Sequence, residues 1–203
     1  MKHLKRTALL LSNVFYPTFY PVVGFIILFT LTYLSMLPWF FKLWVCAAVY
    51  FFTVALPYII LWFIRKTNGW SRTDIYRQHR RGIVYGTNIL CYASCMYVCN
   101  NLYLPPFVGS ILVVCLMAQC ACAMVNIWYK VSIHSTGTGL LIGALLAYSF
   151  LFDFNPTWWL CLAILISGAV MSSRMYLYNR ELGQVLFGTL IGIFCGLAGT
   201  LLW

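Results

Sequence analysis

Lys130-Val-Ser-Ile-His134-Ser-Thr-Gly-Thr-Gly139 runs without a break into Leu140-Leu-Ile-Gly143-Ala-Leu-Leu-Ala-Tyr-Ser-Phe-Leu-Phe152. The second half reads as membrane-spanning helix, and the first as a polar knot set against it. Ionisable groups close to the hydrocarbon are costly and tend to mark substrate pathways or active sites. The apolar part alone, Thr138–Phe152, falls short of the roughly 20 residues that cross a bilayer. That span is therefore expected to begin inside the knot or to cross a thinned region.

Around this stretch the chain is 63% apolar and 8% charged, with a mean hydropathy of +0.89. Soluble domains carry about 25% charged residues, so the composition is that of an integral membrane protein. The other apolar runs are Val14–Met36, Trp39–Phe63, Ile83–Leu104, Phe107–Trp128, Trp158–Tyr178 and Gln184–Trp203. The fold class expected is all-α: a polytopic membrane helix bundle of seven transmembrane helices, or six if one fails to cross. Residues 1–203 form a single integral membrane domain in this reading. Tryptophan and tyrosine near the run ends, such as Trp39, Trp128, Tyr129, Trp158 and Trp159, fit an interfacial belt.

Thirteen Lys and Arg against three acidic residues (Asp74, Asp153 and Glu181) give a formal charge of +10. In a soluble protein such an excess points to nucleic acid. Here no soluble domain exists to hold a duplex, so no nucleic-acid partner is expected. The charge is left to topology, anionic headgroups or an anionic substrate. The connections Leu37-Pro38, Asn100–Pro106 and Asp153–Pro156 lack basic residues, whereas Arg65–Gly82, Tyr129–Gly137 and Tyr178–Gly183 carry them. With seven spans the basic connections share one membrane face. That face would collect Arg65, Lys66, Arg72, Arg77, Arg80, Arg81, Lys130, His134, Arg174 and Arg180. Positive-inside counting makes it cytoplasmic, although a phosphate site would gather the same residues. Lys2, Lys5 and Arg6 read as a cytoplasmic anchor, since Asn13, Pro17 and Pro21 interrupt the apolar run that follows.

Cys91, Cys95 and Cys99 form one helical stripe, and Cys120 and Cys122 lie in another apolar run. They lack the histidine or carboxylate neighbours that a metal site would want, so they read as small packing residues. No metal and no cofactor is expected. Gly188, Gly192 and Gly196, at four-residue intervals, allow close helix–helix approach, either within the bundle or as a homo-oligomer face.

A phosphomonoester held at a membrane surface needs several fixed donors, and Arg and Lys supply them. Hydrolysis needs in addition a nucleophile and an acid for the departing alkoxide. The chain offers Arg77, Arg80 and Arg81, then Lys130, Ser132 and His134, then Ser173-Arg174 and Arg180. Residue chemistry alone leaves two readings open: an anion cradle with one acid, or a helix-capping histidine beside arginines that face headgroups.

This order resembles the type 2 phosphatidic acid phosphatase and vanadium haloperoxidase superfamily, whose pattern is K-x6-R-P, then P-S-G-H, then S-R-x5-H-x3-D. Val131-Ser-Ile-His134 resembles the second part, with the serine and histidine kept and the proline and glycine lost. Ser173-Arg174 through Arg180 to Gln184 resembles the third. Arg180 stands at the position of the nucleophilic histidine, and Gln184 at that of the aspartate that orients it. Arg77-Gln-His-Arg80-Arg81, preceded by Lys66, is basic in the right order but lacks the R-P pair, and two spans separate it from the second part. Lys130 with Gly137, Gly139 and Gly143 is similar to small bacterial membrane members. The phosphatase-like core covers about residues 65–196.

The resemblance implies an integral membrane lipid-phosphate phosphatase-like protein, a phosphoric monoester or lipid diphosphate hydrolase of the bacterial inner membrane. His134 would be the catalytic acid. Lys130, Ser132, Arg174, Arg180 and one of Arg80 or Arg81 would grip the phosphoryl oxygens of a phosphorylated membrane lipid. An arginine at 180 cannot replace the nucleophile, because its guanidinium stays protonated. The alternative is a catalytically inactive member that binds or moves an anionic lipid or scaffolds a membrane partner. A transporter or channel of another family is a third reading, weakened by the absence of a visible repeat.

Overall fold

The computed structural model describes residues 6, 17–31, 33–69, 81–101, 106–153, 155–178 and 180–202. Among them the architecture is all-α, as the composition requires. The helices are α1 (Tyr20–Leu31), α2 (Trp39–Asn68), α3 (Arg81–Asn101), α4 (Pro106–Val125), α5 (Ile133–Phe152), α6 (Thr157–Tyr178) and α7 (Leu182–Leu201). Five of these, α2, α3, α5, α6 and α7, are long and apolar enough to cross a membrane. The chain is an integral membrane helix bundle.

The boundaries correct the sequence reading in two places and decide between its alternatives in a third. The first run shrinks to a 12-residue helix entered through a 3₁₀ turn over Pro17–Phe19. At 1.5 Å per residue α1 is only about 18 Å long, short of a roughly 30 Å hydrocarbon core. Pro17 and Pro21 explain the late start, because proline has no N–H to give and sits most easily in a first turn. The second run continues past Phe63 to Asn68, so Arg65 and Lys66 lie on its last helical turn rather than in a connection. Gly69 closes it in the left-handed region (φ 62°), with its N–H bonded to the Arg65 carbonyl. Within α2, a π-helical turn over Phe51–Ala55 precedes Pro57. A proline ring clashes with the carbonyl four residues back in regular helix, here Thr53, and the wider turn falls at that point. In the third place, α5 begins at Ile133, inside the polar knot as one of the two expectations had it, and reaches 20 residues. The knot is helix, and it supplies the missing length.

Asp153 ends α5 with φ 46°, a left-handed conformation that short polar side chains tolerate. It sits at the end of the helix opposite His134. A cluster of Phe25, Phe29, Val45, Val49, Cys95, Cys99 and Leu112 joins α1, α2, α3 and α4. Tyr92, Cys115, Leu140 and Cys195 continue the core across α3, α4, α5 and α7. The cysteine stripe is thus buried packing, as all three of its residues are less than a tenth exposed.

The tightest contact is between α5 and α7, which run parallel. A methyl group at Gly139 would enter the Thr189 carbonyl, one at Gly143 the Ile193 carbonyl, and one at Gly192 the Thr136 carbonyl. At Gly196 it would lie 2.7 Å from the Leu140 oxygen, and at Gly188 2.9 Å from the Ser132 oxygen. Glycine on both helices lets the backbones themselves touch, the form of packing that lipid-embedded helices use in place of a hydrophobic drive. The homo-oligomer face raised for Gly188, Gly192 and Gly196 is therefore already filled by α5 of the same chain. Antiparallel α6 joins the pair through a 3.1 Å hydrogen bond between the Thr138 and Ser167 hydroxyls.

Candidate anion site

Parallel packing of α5 on α7 brings two helix N-termini side by side. The first-turn N–H groups of a helix lack partners within it, and each terminus carries about half a positive charge. The junction is knitted by the backbone: the Ser132 N–H donates to the Gln184 carbonyl at 3.3 Å. Next to it the Tyr129 ring meets Phe187 edge-on with centroids 6.1 Å apart. Gly183 leaves space there, since a methyl at that position would lie 2.9 Å from the Tyr129 hydroxyl.

His134 occupies the first turn of α5 and is 7% exposed. Both the Arg174 and the Arg180 guanidinium lie within electrostatic range of its imidazole. Arg174 comes from the last turns of α6, and Arg180 from the connection just before α7; both are half-buried. Three residues separated by as many as 46 positions in the chain (180 − 134) thus converge at one end of the bundle.

Arg180 is held in place. Its Nη1 donates to Gln184 Oε1 at 3.1 Å, one helical turn ahead. The two positions where the resemblance loses its histidine and aspartate form a hydrogen-bonded pair of their own. A protonated guanidinium so anchored is a fixed donor and not a nucleophile.

The remaining expected ligands separate into groups. Ser132 is buried as the residue preceding α5, but its hydroxyl accepts from Ser135 Oγ at 3.0 Å and makes no cap bond. Ser173 spends its hydroxyl on the Val170 carbonyl at 2.7 Å, within its own helix. Lys130 is exposed beside the site. Arg81 opens α3, while Arg72, Asp74, Arg77, His79 and Arg80 lie outside the described residues. Lys66 stands over the Trp62 ring at 5.1 Å. Of the acidic residues placed, Glu181 is exposed at the start of α7 and Asp153 is at the far end of α5.

The residue that sequence reasoning undervalued is Gln184. It appeared there only as a departure from a motif, yet its carbonyl holds the Ser132 N–H and its side chain holds Arg180. Spacing gave no firm signal for this pair, because Arg180 precedes the helix that carries Gln184.

Comparison of the chain with protein-family models, curated proteins and solved structures finds no match. Chemically the arrangement is an electropositive cluster: two arginines and a histidine beside two aligned helix N-termini, with few acidic groups to neutralise it. Such a cluster favours an oxyanion.

Proposed function

We infer that this chain binds the phosphoryl headgroup of a phosphorylated lipid at one face of its membrane, which we take to be a bacterial inner membrane. The convergence of Arg174 and Arg180 on His134, at the paired N-termini of α5 and α7, carries this reading. Arg174 and Arg180 supply planar donors suited to phosphoryl oxygens. His134 faces the same oxygens from the first turn of α5. The lipid tails stay in the bilayer, so the headgroup needs only lateral entry. Binding without turnover follows from Arg180, whose bond to Gln184 makes it a second fixed donor where the resembled family has its nucleophile.

One observation favours hydrolysis as a second reading: a histidine, the residue type that most often protonates a departing alkoxide, lies beside both arginines. It resembles the acid of the type 2 phosphatidic acid phosphatases.

The purified protein in phosphatidylcholine nanodiscs, titrated with phosphatidic acid, phosphatidylglycerophosphate and an isoprenyl diphosphate, tests both. The first reading expects saturable binding, competition by inorganic phosphate, and no phosphate release above that of His134→Ala. Loss of a charge-assisted hydrogen bond removes about 1.5–3 kcal/mol. Arg174→Ala and Arg180→Ala should each weaken binding at least about tenfold. Phosphate release abolished by His134→Ala would establish the second reading. Binding unchanged in the double arginine variant would refute both.

A further inference from the structure

The connection between α4 and α5 carries three large side chains in a row, Ile127-Trp128-Tyr129. Ile127 and Trp128 are largely exposed, whereas the Tyr129 ring rests edge-on against Phe187 of α7. Its main chain is fixed as well, since the Tyr129 N–H donates to the Val125 carbonyl at 2.8 Å. Tryptophan and tyrosine settle at the headgroup level of a bilayer, the depth at which a lipid phosphoryl group lies.

The tip of the phenol lies against the first turn of α7. A methyl at Gly183 would stand 2.9 Å from the hydroxyl, and among the described residues that hydroxyl is the one side-chain atom it would meet. Gly183 directly precedes Gln184, whose side chain holds Arg180. Glycine is a poor helix former, and here it keeps open the space that the hydroxyl occupies. Among the described residues the Tyr129 hydroxyl has no hydrogen-bond partner. At 38% exposure Tyr129 is open to a partner from outside. Its surroundings are the N–H groups of a helix start, donors like itself. A phenol O–H in that setting needs an acceptor, and a phosphoryl oxygen is one.

The ring side is apolar. Phe187, Leu190 and Phe194 follow one another on α7 at three- and four-residue spacing, and all are largely exposed. This face of the membrane helix meets the bilayer, and it starts at the Tyr129–Phe187 pair. We propose that Tyr129 and Phe187 form the membrane-side mouth of the anion site: the Tyr129 hydroxyl donates to a phosphoryl oxygen, and the two rings take the glycerol and first methylenes of the lipid that carries it. The proposal rests on the anion-site reading and adds to it a reason for lipid-borne phosphate to bind better than free phosphate. Arginines alone grip any phosphoryl group. A tyrosine, apolar along its ring and polar at its tip, spans the border between headgroup and hydrocarbon.

Calorimetry on the full chain in phosphatidylcholine nanodiscs tests it, with inorganic phosphate, glycerol phosphate and dihexanoyl phosphatidic acid as ligands. Wild type is expected to bind the short-chain lipid tightest. Tyr129→Phe keeps the ring and should weaken all three about tenfold, the worth of one hydrogen bond to a charged acceptor. Gly183→Ala, whose methyl crowds the hydroxyl, should weaken all three about threefold through partial loss of that bond. Because alanine is the better helix former, this variant should unfold at no lower denaturant than wild type, which a merely structural role would not give. Phe187→Ala should weaken only the lipid, about fivefold, through lost apolar contact. Arg174→Ala should weaken all three ligands. If it does so while Tyr129→Phe binds as wild type, or while Phe187→Ala affects the three ligands alike, the mouth is refuted and the anion site stands. If Arg174→Ala changes nothing, the anion site itself falls and the mouth with it.

Discussion

Replacing Gly192 by alanine adds one methyl at the closest point between α5 and α7. That methyl would run into the Thr136 carbonyl oxygen, with Leu140 N at 2.7 Å and Gly139 C at 3.0 Å. All three are backbone atoms of α5, so no side-chain rotation relieves the contact, and the helices must separate. Extra methyl groups in well-packed interiors cost about 1–3 kcal/mol. A clash with backbone from three atoms belongs at the upper end. Alanine also gains about 1 kcal/mol over glycine in helix propensity, which masks part of the loss. Gly168→Ala on α6 is the matched control, because a methyl there meets nothing within 4 Å. It receives the propensity gain without the clash. The difference between the two variants isolates the steric part, about 3 kcal/mol. Unfolding by sodium dodecyl sulfate in mixed micelles, followed by circular dichroism or tryptophan fluorescence, measures both. Gly192→Ala should unfold at lower denaturant than wild type, and Gly168→Ala at equal or higher. If the two variants unfold together, the backbone contact between α5 and α7 is not what holds this end of the bundle.

Three further outcomes follow from the same geometry. Gln184→Leu removes the acceptor of Arg180 Nη1 and should weaken phosphatidic acid binding about fivefold, the worth of one ordinary hydrogen bond. Lys130→Ala, at an exposed position, should cost less than about threefold in the same nanodisc titration. For the Thr138–Ser167 pair, a double-mutant cycle with Thr138→Val and Ser167→Ala should return a coupling of about 0.6 kcal/mol, as polar pairs between membrane helices do. A coupling of zero in the unfolding assay would mean that the 3.1 Å contact adds nothing to the α5–α6 junction.

Particular elements show where sequence reading was sufficient. Helix order and class were legible because hydropathy is additive along the chain, and runs such as Thr157–Tyr178 need no partner to be recognised. The short span was half legible: its length asked either for a start inside the polar knot or for a thinned bilayer, and the structure begins α5 at Ile133. The first run was not. Its composition resembles a span, but Pro17 and Pro21 shorten the regular helix, a backbone effect that an apolar count overlooks. The glycine stripe had two readings, and spacing alone could not choose between a partner within the chain and one outside it.

By itself, then, the sequence determined a membrane-embedded all-α bundle with a polar knot at the head of one helix, and it raised the expectation that the basic residues share one face. Tertiary structure decided which of those residues meet. Arg174 and Arg180 approach His134, Arg180 is tied to Gln184, Lys130 is exposed, the Ser132 hydroxyl accepts from Ser135, and the Ser173 hydroxyl donates within its own helix. The reason is physical. Transfer into lipid depends on local composition, whereas convergence depends on how closely two backbones approach, and here that distance is set by glycines on α5 and α7 acting as a pair.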